Sequence, residues 1–196
     1  TFFLLACVYF LMRSQPLPAM LALGFSFSFK AQAVFLAPLV LLMILRRKIP
    51  WVGLLLIPAV YLVMVLPAAL AGRPLADLFT IYLSQAGDFR ELSMNAPNLY
   101  SFLSDDRYWP ALIGGILVTA LAGLLWVGIN RARIIEFTPR VVLLCALASA
   151  ILVPFFLPKM HDRYFYPADL LSYLLAFFWP GMWLPALGYQ IISGIV

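Results

Sequence analysis

The sequence predicts an all-α fold: a polytopic transmembrane helical bundle with six to eight membrane segments. Hydrophobic residues make up 65% of the 196 residues and charged residues only 11%, whereas a soluble domain usually has about a quarter charged residues. Several apolar stretches also have the roughly 20 residues that are needed to cross a bilayer. So few charges cannot cover a surface that faces water, and we expect an integral membrane protein.

The apolar stretches belong to a single predicted transmembrane domain over residues 1–196. Three of them have the length of one ordinary span: Trp51–Gly72, Ala111–Ile129 and Val141–Leu157. The opening stretch Thr1–Met12 is expected to be the tail of another helix. The C-terminal stretch is interrupted by "WPGMWLP", whose prolines would kink or end a helix. Because the chain begins with Thr and stops inside an apolar run, we expect a fragment that is truncated at both ends.

Leu17–Leu45 is too long for one ordinary span, and "SFSFKAQ" interrupts its middle. A lysine in lipid is costly and normally faces protein or water. We therefore predict two helices with a break near Lys30, and we consider Lys30 together with Gln32 a candidate polar site. A single long tilted helix is the alternative, with the Lys30 side chain reaching the interface.

Loop charges predict the topology. The loops at 46–50 and 130–140 each have three basic residues and together only one acid, whereas the loops at 73–108 and 158–169 have no excess of basic residues. Short basic loops mark the cytoplasmic side. We therefore expect 73–108 and 158–169 to share the outer side of a membrane, which we take to be a bacterial plasma membrane.

The long outer loop contains its own helical pattern. Apolar residues recur with helical spacing at Leu75, Leu78, Phe79, Tyr82 and Leu83, which predicts an amphipathic helix at the membrane interface. A general base for an acceptor hydroxyl could come from the acids of this loop. None of these acids, Asp88 included, has neighbours in the sequence that mark it as a general base. Ordinary solvated charges are the simpler interpretation.

The densest group of ionisable residues lies in "LPKMHDRYFYPAD", which contains the only histidine of the chain, His161. Arg163 can bind phosphate oxygens through two parallel N–H bonds, and Lys159 can act as a point charge. His161 can donate to an anion near neutral pH. This pattern predicts an anion site, with a solvated loop at the lipid headgroups as the alternative.

Other functional classes have little support in the sequence. Cys7 and Cys145 lie far apart in apolar segments and are expected to be core residues, with a disulfide or ligand pair as the alternative. One His and two distant Cys cannot form a zinc site. A divalent ion held by carboxylates is a further alternative, for which the sequence offers no pattern, and we predict no metal and no cofactor. No basic stripe with interleaved aromatic residues indicates nucleic acid. The spacing of Gly115, Thr119 and Gly123 predicts close helix packing.

Two stretches resemble a known family. "FSFSFKAQAVFLAPLVLLMILRRK" and "LPKMHDRYFYPADLLSYLLAF" are similar to the GT-C superfamily of integral-membrane glycosyltransferases, and most of all to bacterial members related to the dolichyl-phosphate-glucose glucosyltransferases. Those enzymes have a Phe-Lys pair before an apolar run with Ala-Pro, matched here by Phe29-Lys30 and Ala37-Pro38. They also have a His-acid-base triplet at the start of a late helix, matched by His161-Asp162-Arg163, although eukaryotic relatives usually have Glu and Lys after the His. "LSMNAPNLY" also looks like their outer loop.

The resemblance implies transfer of a hexose from a polyprenyl-phosphate sugar to a lipid-linked or other hydroxyl acceptor at the outer membrane face, with inversion. It implies donor-phosphate binding by Lys30, His161 and Arg163. Supporting positions are expected at Gln32, Asn95, Asn98, Lys159, Asp162 and Tyr164. Relatives place their catalytic acid in the first outer loop, so we expect the base upstream of this sequence and leave it unassigned.

Two alternatives from other functional classes remain open in the sequence. Broken helices at Lys30 and Pro180 are features from which secondary transporters build midplane sites, but the sequence shows no matching inverted repeat. A non-catalytic, lipid-binding membrane subunit would also have these features.

Overall fold

Nine α-helices and two very short strands form the part of the chain that the computed structural model describes, which is residues 1–87, 90–133 and 136–195. The helices are α1 (Phe2–Met12), α2 (Pro16–Phe29), α3 (Ala37–Leu45), α4 (Leu56–Leu70), α5 (Leu75–Gly87), α6 (Tyr108–Arg133), α7 (Pro139–Phe156), α8 (Tyr166–Phe178) and α9 (Trp183–Ile195). The strands are β1 (Ser93–Met94) and β2 (Met160–His161). The predicted helical class is confirmed, and the strand pair is an addition that the sequence did not predict.

Among the described residues, three helical segments are long and apolar enough to cross a membrane: Trp51–Leu70, Tyr108–Arg133 and Pro139–Phe156. They correspond to the three ordinary spans expected from the sequence, with boundaries that differ by a few residues. The remaining apolar helices are shorter. The 14 residues of α2, for example, rise only about 21 Å at 1.5 Å per residue, so the count of six to eight segments stays a prediction.

The helical backbone is interrupted at Lys30, as the sequence predicted. Lys30 has extended backbone angles, φ −161° and ψ 138°, directly after the end of α2. A 3-10 helix over Ala31–Leu36 then leads into α3. The prediction of a broken pair is therefore confirmed, and a single long helix is wrong. A second break lies at Trp179, where the extended backbone separates α8 from α9.

A buried serine stabilises the junction between the 3-10 helix and α3. Pro38 has no N–H, so it cannot donate the i+3 hydrogen bond that the Phe35 carbonyl would receive in a 3-10 helix. The Ser149 hydroxyl of α7 donates to the Phe35 carbonyl instead, at 2.7 Å. The Leu39 amide in turn donates to the Ser149 oxygen at 3.4 Å. Ser149 is fully buried, so this hydroxyl joins α3 to α7 inside the apolar core.

The core lies mainly between α1, α2, α3, α7 and α8. Cys7 and Cys145 are both free thiols inside it, which confirms them as core residues. In contrast, α4 and α6 leave most of their apolar side chains exposed, such as Leu62, Leu117 and Leu121. Apolar surfaces of this extent on long helices are typical of contact with lipid.

The two ends of the bundle differ in character. At one end, the Arg46 guanidinium donates to the Arg131 carbonyl at 2.8 Å and lies 5.9 Å from the centre of the Phe137 ring. We call this the basic end, because the loops at 46–50 and 130–140 meet there. At the other end β1 pairs with β2 in a parallel register, and we call it the strand end. The two loops that were predicted to share a side therefore do so.

The predicted amphipathic helix is present as α5 at the strand end. The Tyr82 hydroxyl donates to the Phe27 carbonyl of α2, and the Tyr61 hydroxyl of α4 donates to the Leu78 carbonyl. Leu75 and Leu83 remain exposed at 59% and 75%. One part of the apolar stripe thus packs on the bundle, and the other part is presented to the surroundings.

Gly115 of α6 is required by a loop rather than by a neighbouring helix, which corrects the expectation from its spacing. A methyl group at this position would lie 2.8 Å from Cδ of Pro158 and would overlap the Tyr100 hydroxyl. The Tyr100 hydroxyl donates to the Phe156 carbonyl at 2.8 Å. Gly115 therefore lets the strand-end loops pack directly on α6.

We predict that Gly115→Ala lowers the free energy of unfolding by about 1–3 kcal/mol, because overpacking at this contact displaces Tyr100 and Pro158. Gly114→Ala is the matched control, since a methyl group there meets nothing within 4 Å and Ala is the better helix former. Unfolding in a mixed-detergent titration measures both variants. Equal stability of the two variants would contradict the packing described here.

We also predict that Ser149→Ala destabilises the protein by about 1–2 kcal/mol, since it leaves the buried Phe35 carbonyl without a donor. Thr80→Ala is the control, because the Thr80 hydroxyl also binds a helix carbonyl, that of Ala76, but in an exposed position. The same unfolding titration applies. A loss of stability in the Thr80 variant as large as in the Ser149 variant would argue against the special role of the Phe35 carbonyl.

Candidate anion-binding site

The loop between α7 and α8 takes its shape from a few local constraints. Lys159 has a positive φ of 64°, and its amide donates to the Leu92 carbonyl at 2.7 Å. The chain then pairs with the long loop through β2, and a 3-10 helix follows over Asp162–Phe165. Pro167 lies at the start of α8, a position where its missing N–H costs nothing. These constraints fix His161 and Arg163 at the strand end.

Lys30, His161 and Arg163 come together at the strand end, and we call them the cationic cluster. Tyr164 lies between its members: the Lys30 ammonium is 5.3 Å from the centre of the Tyr164 ring, and the His161 ring is 6.3 Å from it. Phe35 packs against the other part of the Tyr164 ring, at 6.0 Å between ring centres. The break after α2 therefore brings Lys30 to the loop that holds the other two residues.

Asp162 orients its two neighbours. Its carboxylate contacts Nδ1 of His161 and accepts a hydrogen bond from the Arg163 amide at 2.6 Å. In the neutral imidazole a carboxylate at Nδ1 holds the proton on that nitrogen. Nε2 is then the nitrogen that can meet a ligand. The Asp162 side chain is partly exposed, and Arg163 is exposed beside it.

The surroundings lower the pKa of His161 from its ordinary value near 6.5. Partial burial is the first cause, followed by the positive charges of Arg163 and Lys30. Each of these disfavours the imidazolium form. An anion bound between these cations would favour that form and raise the pKa of His161 again.

The other predicted supporting residues lie around the cluster and not in it. Asn95 has a positive φ of 53° and forms an isolated bridge with His161. Asn98 is buried and forms a turn, in which its Oδ1 accepts from the Tyr100 amide at 3.0 Å. The Lys159 ammonium donates to the Tyr108 hydroxyl at 2.9 Å. Gln32 is half-buried in the 3-10 helix. Asp88 lies outside the described residues.

A group of hydrogen-bonded polar side chains lies between α8 and α9 and was not predicted from the sequence. The Asp169 carboxylate accepts from the Ser193 hydroxyl at 3.2 Å. The Gln190 amide donates to the Asp169 carbonyl at 3.1 Å and to the Ser172 hydroxyl at 3.2 Å. The spacing of Gln190 and Ser193 in an apolar segment could have indicated this group, because polar residues there usually bind across helices.

Within residues 1–87, 90–133 and 136–195, no group of three or more His, Cys, Asp or Glu side chains is placed to hold a metal ion. The chemistry of the site is that of a cationic patch at the end of apolar helices. It can bind an anionic group through two basic side chains and one histidine.

No protein-family model, no curated protein and no solved structure matches this chain. The functional interpretation therefore depends on the geometry of the site and on the resemblance of the two motifs.

We predict that Arg163→Gln raises the pKa of His161 toward 6.5, because one of the two cations that disfavour the imidazolium form is removed. The chain has a single histidine, so NMR of histidine-labelled protein follows this group alone. Arg73→Gln is a control at the same end outside the cluster. A pKa of His161 that does not change in the Arg163 variant, or that changes equally in both variants, would contradict the arrangement.

Proposed function

We propose that this chain belongs to a membrane-embedded glycosyltransferase that moves a hexose from a polyprenyl-phosphate sugar to an acceptor hydroxyl. The observation that supports the proposal best is the convergence of Lys30 with His161 and Arg163. Lys30 lies more than 130 positions before the other two in the sequence, yet all three meet beside Tyr164. The two motifs that resemble the GT-C superfamily supply these same three residues.

The cluster suits a lipid phosphate. It lies where apolar helices end, so a ligand there can keep an isoprenoid chain in the hydrocarbon and its phosphate at the boundary. Arg163 can bind two phosphate oxygens at once, whereas Lys30 acts as a point charge. When the sugar leaves, negative charge develops on the phosphate oxygen, and fixed cations lower the free energy of that transition state.

In the proposed reaction, the acceptor hydroxyl attacks the anomeric carbon and the bond from that carbon to the phosphate oxygen breaks, with inversion. The acceptor proton passes to a base that the proposal does not assign. Asp162 is a positioning residue, since its carboxylate is held by His161 and the Arg163 amide. The basic end would face the cytoplasm of a bacterial cell and the cluster the outer side.

The transporter alternative has less support from the geometry. Lys30 lies at the strand end and Trp179 at the opposite end, so the two breaks act as turns between neighbouring helices. Secondary transporters use broken helices near the membrane midplane.

The first test measures binding of a polyprenyl-phosphate hexose to the purified chain in nanodiscs. We expect Lys30→Gln and Arg163→Gln each to weaken binding at least about tenfold, because each removes a charge-assisted hydrogen bond. Arg73→Gln is the control at the same end, and polyprenol without phosphate is the control ligand. We also expect the pKa of His161 to rise when the ligand binds. Binding that is indifferent to these substitutions, or equal binding of polyprenol, would contradict the phosphate site.

The second test measures transfer with the complete protein that the gene encodes. A panel of polyprenyl-phosphate hexoses is offered to the wild type and to His161→Ala and Arg163→Ala variants. A steep loss of transfer in folded variants supports the proposal. Binding without transfer from any donor would leave a lipid-phosphate binding subunit and would contradict the transferase.

A further inference from the structure

A second site is suggested by the distribution of charge at the opposite end of the molecule. The basic end carries seven basic residues against one acid: Arg13, Arg46, Arg47, Lys48, Arg131, Arg133 and Arg140 against Glu136. Within the residues that the structure describes, Arg13 forms no ion pair with a carboxylate. Its guanidinium is exposed directly after the last turn of α1. This end therefore presents a strong positive charge at a membrane boundary.

An apolar groove of about 380 Å³ opens at Arg13. Its walls come from α1, α7 and α8, and its lining includes Leu5, Val8, Leu143, Leu171, Leu174 and Phe178. The groove runs from the middle of α1 to the basic end, where Arg13 and Pro139 form its mouth. Its volume lies within the usual range of small-molecule sites, roughly 300–1,000 Å³.

The mouth of the groove has the chemistry of a membrane boundary. Trp179 follows Phe178 in the chain and is half exposed, and tryptophan is enriched at the level of lipid headgroups. Arg140 is exposed next to Pro139. Basic residues at the ends of helices attract anionic headgroups, and basic pockets between transmembrane helices bind them. The groove thus combines an apolar channel with a cationic entrance.

A second groove in the molecule provides a contrast. It lies between α2, α3 and α4, has a similar volume of about 350 Å³, and no charged residue lines it. Its lining includes Leu23, Phe27, Val34, Val40 and Ile57. Any lipid chain can enter such a groove, which offers no charge that would distinguish between headgroups, unlike the groove at Arg13.

We propose that the groove between α1, α7 and α8 binds an anionic phospholipid of the bilayer, with an acyl chain against Leu143 and Leu174 and the phosphate-bearing headgroup at Arg13. The site is independent of the cationic cluster at the strand end. Its ligand is a lipid of the surrounding membrane and not the proposed sugar donor.

The test measures lipid retention by native mass spectrometry of the purified chain, titrated with phosphatidylglycerol or with phosphatidylcholine of the same acyl chains. We expect phosphatidylglycerol to bind more tightly. Arg13→Ala should weaken phosphatidylglycerol about fivefold, as expected for one basic residue near the lipid surface, and leave phosphatidylcholine unchanged. Arg133→Ala is the matched control, because it removes the same charge from the same end at an exposed site outside the groove.

A steric variant tests the groove itself. Leu174→Trp fills the channel from a position that is 42% exposed and keeps Arg13, so it should weaken both lipids. Three results would overturn the proposal: equal binding of the two lipids by the wild type, an equal loss in the Arg13 and Arg133 variants, or full lipid retention in the Leu174 variant.

Discussion

The short parallel pairing of β1 with β2 is the constraint on which the strand end depends. It joins Ser93 to Met160 and Met94 to His161, residues that are far apart in sequence and lie in loops without a continuous helix to position them. In a membrane protein, irregular backbone near the bilayer must find hydrogen bonds within the protein. The pairing satisfies these backbone groups, and it also fixes the position of His161. The Lys159 amide extends the pairing through the Leu92 carbonyl, so the loop that contains the candidate anion site is held by main-chain contacts.

The main features of the fold could be predicted because they depend on local composition. Apolar length alone defines the spans of α6 and α7, and the break at Lys30 follows from the cost of a charge in hydrocarbon. The role of Ser149 could not be predicted, since it depends on the missing N–H of Pro38 more than 100 positions earlier. The role of Gly115 was also predicted wrongly. Its spacing indicated a contact with a neighbouring helix, but the loop residues Tyr100 and Pro158 occupy the space beside it.

The candidate site was predictable to a similar degree. Residue type and placement singled out Lys30 and, separately, the loop that contains His161 and Arg163, and the resemblance grouped the three as a phosphate site. Loop charge predicted that the loops 73–108 and 158–169 lie on one side, and the structure places both at the strand end. That the cluster binds an anion stays a prediction. The sequence could not show which polar residues would be used by the fold itself. Asn98 is occupied with a turn and Lys159 donates to Tyr108, because exposed and buried polar residues look alike in a sequence without its contacts.

The two ends of the molecule gather positive charge for different reasons. At the basic end the cations lie in loops next to the spans, where positive charge favours the cytoplasmic side of a membrane and also attracts anionic lipid headgroups. At the strand end, three groups meet although like charges repel and the loops have no excess of basic residues. Burial and the charges of Arg163 and Lys30 lower the pKa of His161, which disfavours a third positive charge in the cluster. An anion reverses the balance, since it compensates Lys30 and Arg163 and makes a third positive charge favourable. If the cluster binds an anion as proposed, His161 would take up a proton at the same time, and this coupling would suit a group whose negative charge grows during a reaction.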